Sequence, residues 1–134
     1  MKNSTLSLVS TAALVLVLST AAFAWDVGCT PGYWKQPQHA DSWVGYSPEQ
    51  TLQSVFGCGG STTLLEALNA NGGGLYALQR HAVAALLNAA AVPGFDFTEQ
   101  QVKDKFCAAL TNGATIESLK NKFEAKNDGT CPLN

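Results

Sequence analysis

The two histidines are the residues best suited to acid–base chemistry or metal binding. His39 lies two positions before Asp41, and His81 lies in a long apolar stretch. If the segment around His39 folded over that stretch, the three side chains could form a metal site or the centre of a small hydrolase. Three ligands without a spaced motif are weak evidence for either, and a simpler interpretation makes His81 a helix residue beside Asn88. We therefore expect no metal and no cofactor.

Motifs of an activated nucleophile are absent from the sequence. It contains no Gly-x-Ser-x-Gly elbow and no His-Glu-x-x-His pattern. Ser61 follows two glycines near a predicted helix start, where capping explains it. Gly72–Gly74 lacks the Lys-Ser/Thr that follows the glycines of a phosphate-binding loop. No pattern marks the carboxylates that a glycosidase would need, which here would be Asp41, Glu49, Glu66 and Asp96. We expect a protein that is not an enzyme.

Four large aromatic side chains lie close together near the start of the chain: Tyr33, Trp34, Trp43 and Tyr46. Two prolines and a glycine interrupt regular structure there, so residues 25–46 are predicted to form a loop. Aromatic rings beside polar groups are typical of surfaces that stack on sugars or contact proteins. The candidate binding residues are Tyr33, Trp34, His39 and Trp43. The alternative is that the tryptophans close one end of a small core, and we expect Trp34 to be the more structural of the two.

All four cysteines lie between residues 29 and 131, separated by 28, 48 and 23 intervening residues. A zinc site would show close Cys-x₂₋₄-Cys pairs, which these gaps exclude. An even number of cysteines in an exported chain of this size predicts two disulfides. Spacing alone leaves three pairings open.

Residues 1–24 have the pattern of a secretory signal peptide. Lys2 precedes an apolar core over Leu6–Leu18, and Ala22-Phe23-Ala24 is a small-x-small cleavage site. The core of about 13 residues is shorter than the roughly 20 that span a bilayer, so we expect no membrane anchor after cleavage. The mature chain would have seven basic and ten acidic residues, which disfavours nucleic acid as a partner. We expect a secreted protein, extracellular or at the cell surface, with the periplasm as the alternative compartment.

The central helix is predicted over Leu75–Ala91, which is rich in Ala and Leu and contains no Gly or Pro. Its apolar side chains cover more than half of the helix circumference, so neighbours should bury it on several sides. Capping boxes at 47–50 and 98–101, and candidate caps at Thr63 or Ser61 and at Thr115, predict four further helices. No window alternates with period 2, so strands are not expected beyond a short pairing in the loop. The predicted fold is an all-α, five-helix single domain over residues 25–134, with the aromatic loop at 25–46 and the helices at 47–134.

Several segments together resemble a recurrent, uncharacterised domain of secreted bacterial proteins. Gly28–Lys35 is similar to its C-T-x-G-Y-W-K signature, and Leu64–Leu68 to an LLEAL-like segment that a glycine run follows. Arg80–Ala89 is similar to its RHAVAALLNA-like helix, and Cys131-Pro132-Leu133 to its C-terminal motif. In that domain the signature cysteine and the cysteine before Pro-Leu occur together. The resemblance therefore implies the pairs Cys29–Cys131 and Cys58–Cys107.

The leading functional hypothesis is a non-enzymatic secreted or cell-surface protein with a structural or interaction role. Its expected partners are other extracellular or surface proteins, a second copy of the chain, or glycans. The first alternative is a carbohydrate-binding module that uses Tyr33, Trp34 and Trp43. The second is a small extracytoplasmic hydrolase around His39 and His81.

Overall fold

A computed structural model describes residues 26–133 of the chain. The predicted signal peptide, residues 1–24, lies outside this part. The described residues form six α-helices: α1 (Pro31–Trp34), α2 (Leu52–Phe56), α3 (Leu64–Asn69), α4 (Leu75–Ala91), α5 (Glu99–Thr111) and α6 (Ile116–Asn127). Two 3₁₀ turns, Pro37–Ser42 and Gly113–Thr115, precede α2 and α6. None of the helices described is long and apolar enough to cross a membrane.

The predicted all-α class is confirmed, and α2 to α6 correspond to the five predicted helices. Within residues 26–133 the only extended pairings are two isolated bridges, Val27 with Thr130 and Thr51 with Thr63. The segment predicted as an aromatic loop is more regular than expected, because it contains α1 and the first 3₁₀ turn. Thr30 and Pro31 explain this difference. The Thr30 hydroxyl accepts a hydrogen bond from the Tyr33 amide, and Pro31 takes the first helical position.

The start of α2 differs from its predicted capping box. Gln50 Oε1 does accept a hydrogen bond from the Ser47 amide at 2.9 Å, but these residues form a turn outside the helix. The helix begins at Leu52, and the hydroxyl of Thr51 caps it. Thr51 is held in an extended conformation by the bridge to Thr63, which is itself the cap of α3. This pairing aligns the starts of α2 and α3 and excludes the earlier helix start.

Helix α4 is the centre of the core, as predicted. From Ala77 to Asn88 every residue except Arg80 is buried. Helices α1, α3, α5 and α6 all pack against it. Arg80 extends to the loop before α4 and donates a hydrogen bond to the Ala70 carbonyl at 2.6 Å, which ties the end of α3 to the central helix.

Two disulfides close the domain with the pairing that the family resemblance implied. Cys29 is bonded to Cys131 and Cys58 to Cys107. The first disulfide joins the two ends of the described chain, and the second joins the segment after α2 to α5. In the chain-entropy model, bridges across 102 and 49 positions each stabilise the fold by about 4–5 kcal/mol.

The two ends of the chain also meet through their backbones. The Gly28 amide donates to the Thr130 carbonyl at 3.1 Å, and the Thr130 amide donates to the Asp26 carbonyl at 2.9 Å. A Cβ atom on Gly28 would collide with the carbonyl oxygen of Lys126 at the end of α6. The close approach of the N-terminal segment to α6 therefore requires glycine at position 28.

One buried amide connects these parts. The Asn88 side chain is fully buried. Its Oδ1 accepts from the backbone amide of Cys29 at 2.8 Å and from the indole N–H of Trp34 at 3.2 Å. Its Nδ2 donates to the Cys29 carbonyl at 2.8 Å and to Asn127 Oδ1 at 2.9 Å. An amide side chain offers two donors and two acceptor lone pairs, so Asn88 uses its full capacity.

We predict that Asn88→Ala lowers the free energy of unfolding by at least about 3 kcal/mol. The change leaves several buried polar groups without partners, and each costs about 1–3 kcal/mol. Chemical denaturation of both proteins measures the difference. A matched control is Asn69→Ala, which removes an exposed side chain that donates only to the Leu65 carbonyl. The control should change stability by less than about 0.5 kcal/mol. Equal effects of the two substitutions would contradict the role given to Asn88.

Candidate functional site

Trp34 lies in the core. Helix α1 packs against α4, and the indole of Trp34 is 1% exposed. Its N–H donates to Asn88, so both the apolar ring and the polar group have partners within the protein. A ring buried in this way offers a ligand almost no surface of its own. Trp34 is therefore a structural residue, as the sequence favoured.

Tyr33 lies between Trp34 and His39 and contacts the rings of both. The Tyr33 ring meets the Trp34 ring edge to face at 5.2 Å and stacks on the His39 imidazole at 3.8 Å. The Tyr33 hydroxyl lies 2.9 Å from the Ser42 hydroxyl and donates to the Leu133 carbonyl at 3.3 Å. His39 Nδ1 lies 2.9 Å from the Tyr33 carbonyl oxygen, so this nitrogen carries the proton and donates. These contacts fold the aromatic segment onto itself and onto the C-terminus.

A stacking surface of three rings, which the carbohydrate-binding alternative required, does not form. Tyr33 is 9% exposed and Trp34 is 1% exposed, whereas Trp43 is half-buried. The physical reason is that a hydrogen bond to Asn88 holds Trp34 in the core, and contacts with Trp34, Ser42 and Leu133 hold Tyr33 against it. Two candidate binding residues, Trp34 and Trp43, border an open groove, and of these Trp43 is the more exposed.

We call this feature the Trp43 groove. It has a volume of about 240 Å³ and lies between the first 3₁₀ turn, the segment before α2, and α3. Its apolar lining consists of Trp34, Pro37, Ala40, Trp43, Pro48 and Leu65. Lys35, Gln36 and Glu49 also line it and supply one positive charge, one amide and one negative charge. A mainly apolar groove with a few polar groups is the usual form of a binding site.

The groove is held in place by hydrogen bonding and by proline. The indole N–H of Trp43 donates to the Trp34 carbonyl at 3.3 Å. Pro37 and Pro48 restrict the backbone on either side of Trp43. Trp43 is therefore fixed in position before any ligand binds, which lowers the entropic cost of binding.

The histidines contact different parts of the protein. His39 packs on Tyr33, whereas His81 lies on α4 facing the end of α6. Within residues 26–133, no three side chains of His, Cys, Asp or Glu lie close enough together to hold a metal ion. The arrangement gives no support to a His39–Asp41–His81 site or to a hydrolase built on the two histidines.

His81 belongs to the same buried network as Asn88. Asn127 Nδ2 donates to the His81 carbonyl at 3.0 Å and lies 3.5 Å from His81 Nδ1. Burial lowers the pKa of His81 below its ordinary value of 6.5. The Glu124 carboxylate opposes this shift without reversing its direction. His81 is therefore a neutral structural residue at pH 7.

Sequence reasoning missed the long-range contacts of Tyr46 and of Lys126. The Tyr46 hydroxyl donates to Glu99 Oε1 at 2.5 Å, and Lys103 Nζ lies 5.4 Å from the centre of the Tyr46 ring. Burial and the neighbouring Glu99 carboxylate raise the pKa of the Tyr46 hydroxyl. Lys126 bridges Asp96 at 2.5 Å and Asp26 at 3.6 Å. These partners are far apart in sequence, and no local pattern marks them.

The comparisons with known proteins assign the chain to a family. Residues 29–133 match the family model of the protodermal factor 1 C-terminal domain. The match spans most of the sequence, so the chain belongs to this family. The predicted membership of an uncharacterised domain of secreted bacterial proteins was therefore wrong, although the segments on which it rested lie inside the matched range apart from Gly28. No curated protein and no solved structure matched the chain.

We predict a clear difference between the two tryptophans of the aromatic segment. Trp34→Ala should lower the free energy of unfolding by about 3–5 kcal/mol, because it opens a cavity in the core and leaves Asn88 Oδ1 without one of its donors. Trp43→Ala should cost much less, since that ring is half-buried. Thermal and chemical unfolding of both variants measures the difference. Equal destabilisation by both changes would show that the Trp43 side chain, like that of Trp34, is part of the core.

We also predict that stability decreases as the pH falls from about 7.5 to 5.5. Since the pKa of His81 is lowered in the folded protein, the unfolded chain binds more protons in this range, and protonation favours unfolding. The loss begins near pH 6.5 and continues as the pH falls through the lowered pKa. His81→Gln should flatten this slope in denaturation curves. His39→Gln, which removes the other histidine, is the matched control. A slope that is the same in His81→Gln and in the wild type would contradict the prediction.

Proposed function

We propose that this member of the protodermal factor 1 C-terminal domain family is a non-enzymatic extracellular interaction protein. Its contact surface is the Trp43 groove, and its partner is a protein that inserts an apolar side chain there. The extracellular location is supported by the signal-peptide pattern at 1–24 and by two disulfides, which persist in oxidising compartments. The non-enzymatic role is supported by the structural use of both histidines and all four cysteines.

The observation that carries the proposal is the exposed apolar surface around Trp43. Val44 is 54% exposed and Leu65 is 37% exposed, although most large apolar side chains in the described part are buried. Leu65 lines the groove, and Val44 follows Trp43 directly in the chain. Tryptophan in a preformed pocket is a common centre of binding energy in protein interfaces.

The composition of the groove favours a protein partner over a glycan. Six of its nine lining residues are apolar. A sugar carries hydroxyl groups around its ring and would leave many of them without partners against such a lining. An aromatic or large aliphatic side chain would bury its surface there, while Lys35 and Glu49 could pair with polar groups at the edge.

We predict that peptides selected for binding to the protein from a random display library share an aromatic or large aliphatic anchor. Their affinity should fall at least about 30-fold in Trp43→Ala, which corresponds to 2 kcal/mol of binding energy. Leu65→Asp should have a similar effect because it places a charge in the apolar lining. Binding measured by calorimetry, together with unfolding curves for each variant, separates lost contact from lost folding.

The matched control is Tyr76→Ala, which removes an aromatic side chain that is 60% exposed and does not line the groove. It should leave peptide affinity unchanged. Peptides that bind Trp43→Ala and the wild type equally would place the contact surface elsewhere. If no peptide with such an anchor is recovered and an oligosaccharide binds selectively in a way that depends on Trp43, the partner is a glycan and the proposed protein partner is wrong.

A further inference from the structure

A second pocket lies on another part of the molecule, between α5, α6 and the turn that joins them. It has a volume of about 210 Å³. We call it the α5–α6 pocket. Ala109 and Leu119 supply part of its apolar lining, Thr115 and Ser118 contribute hydroxyl groups, and Lys105 and Lys122 also line it. None of these residues lines the Trp43 groove.

The two lysines give the pocket a positive charge that no lining residue balances. Lys105 lies six residues before the end of α5 and Lys122 six residues after the start of α6, so the two side chains reach the pocket from opposite helices. Neither forms an ion pair with any residue between 26 and 133. Both lysines are exposed, so their side chains are free to turn toward a group in the pocket, where two positive charges would attract an anion.

The nearest carboxylates in the sequence have other partners. Asp104 accepts a hydrogen bond from Gln100 Nε2 at 2.8 Å, and Glu117 pairs with Lys120 at 3.2 Å. Lys120 also pairs with Glu124 at 2.9 Å. These carboxylates therefore do not pair with Lys105 or Lys122, and the positive charge of the pocket remains although the net charge of the whole chain is −2.

The hydroxyl groups of the pocket differ in what they can donate. The Thr115 hydroxyl donates to the Asn112 carbonyl at 2.8 Å, so its proton is already used. Ser118 lies in the first turn of α6, has no hydrogen-bond partner among the described residues, and can donate into the pocket. The positive end of the α6 dipole adds to the attraction for a negative group at this place.

We propose that the α5–α6 pocket binds one small oxyanion, a carboxylate, sulfate or phosphate group, between Lys105 and Lys122 with Ser118 as a hydroxyl donor. The group is either a free ion or one charged unit of a larger molecule. The net negative charge of the chain disfavours contact with many anionic groups at once, so the pocket takes them singly. This site is independent of the Trp43 groove, and neither proposal depends on the other.

The test is a titration of the isotope-labelled protein, followed by NMR, with sodium phosphate, sodium sulfate or sodium acetate at constant ionic strength. Sodium chloride serves as the reference. We expect saturable shifts of the amide signals around Thr115 and Ser118 with at least one of the three anions. The anion that binds most tightly identifies the chemical class. Polygalacturonate and dextran sulfate, compared with uncharged dextran, then show whether a polymer-borne group binds as well as the free ion.

Lys105→Gln and Lys122→Gln should each weaken the binding about tenfold, and the double variant should abolish saturation. Lys103→Gln is the matched control, since it removes the same charge from α5 outside the pocket and should leave the dissociation constant unchanged. Unfolding curves show whether each variant remains folded. Equal affinity in the double variant and the wild type would overturn the proposal, and so would the absence of saturable shifts with all three anions.

Discussion

The fold depends above all on one buried amide side chain, that of Asn88, in the second half of the central helix. Its four hydrogen bonds reach the backbone of Cys29, the indole of Trp34 and the side chain of Asn127. Through them the N-terminal segment, the central helix and the last helix share one polar centre. The Cys29–Cys131 disulfide encloses the same region covalently. Buried polar networks that are fully satisfied stabilise one arrangement of a core over others.

This constraint changes how the most distinctive sequence motif is interpreted. The residues of the Cys-Thr-Pro-Gly-Tyr-Trp segment have the composition of a binding surface, yet most of their polar groups bond within the protein. Thr30 caps α1, Tyr33 contacts the C-terminal segment, and Trp34 bonds to Asn88. The segment closes the fold. Surfaces available for interaction lie beside it, in the Trp43 groove, and at the α5–α6 pocket.

Local patterns in the sequence were enough to predict the elements but not the contacts between them. The capping box at 98–101, the candidate cap Thr63 and apolar patterning located α3 to α6 closely, although Thr115 makes no capping hydrogen bond at the start of α6. Cysteine spacing favoured disulfides over a zinc site, and both disulfides are present. The start of α2 was misplaced because Thr51 pairs with Thr63, a contact outside the predicted helix. The partners of Asn88 lie 39 to 59 positions away, so no local signal could identify them. One sign was visible: an asparagine, a poor helix former, within a run of alanine and leucine.

Native-state hydrogen exchange of the Cys29 amide and the Trp34 indole N–H tests the central claim most directly. Both groups donate to Asn88 Oδ1 inside the core. If this network fastens the N-terminal segment to α4, both protons should exchange only through global unfolding, with the same free energy as the slowest amides of α4. Exchange of these two protons at a much lower free energy, while the amides of α4 stay protected, would contradict the account. The segment would then open independently of the core.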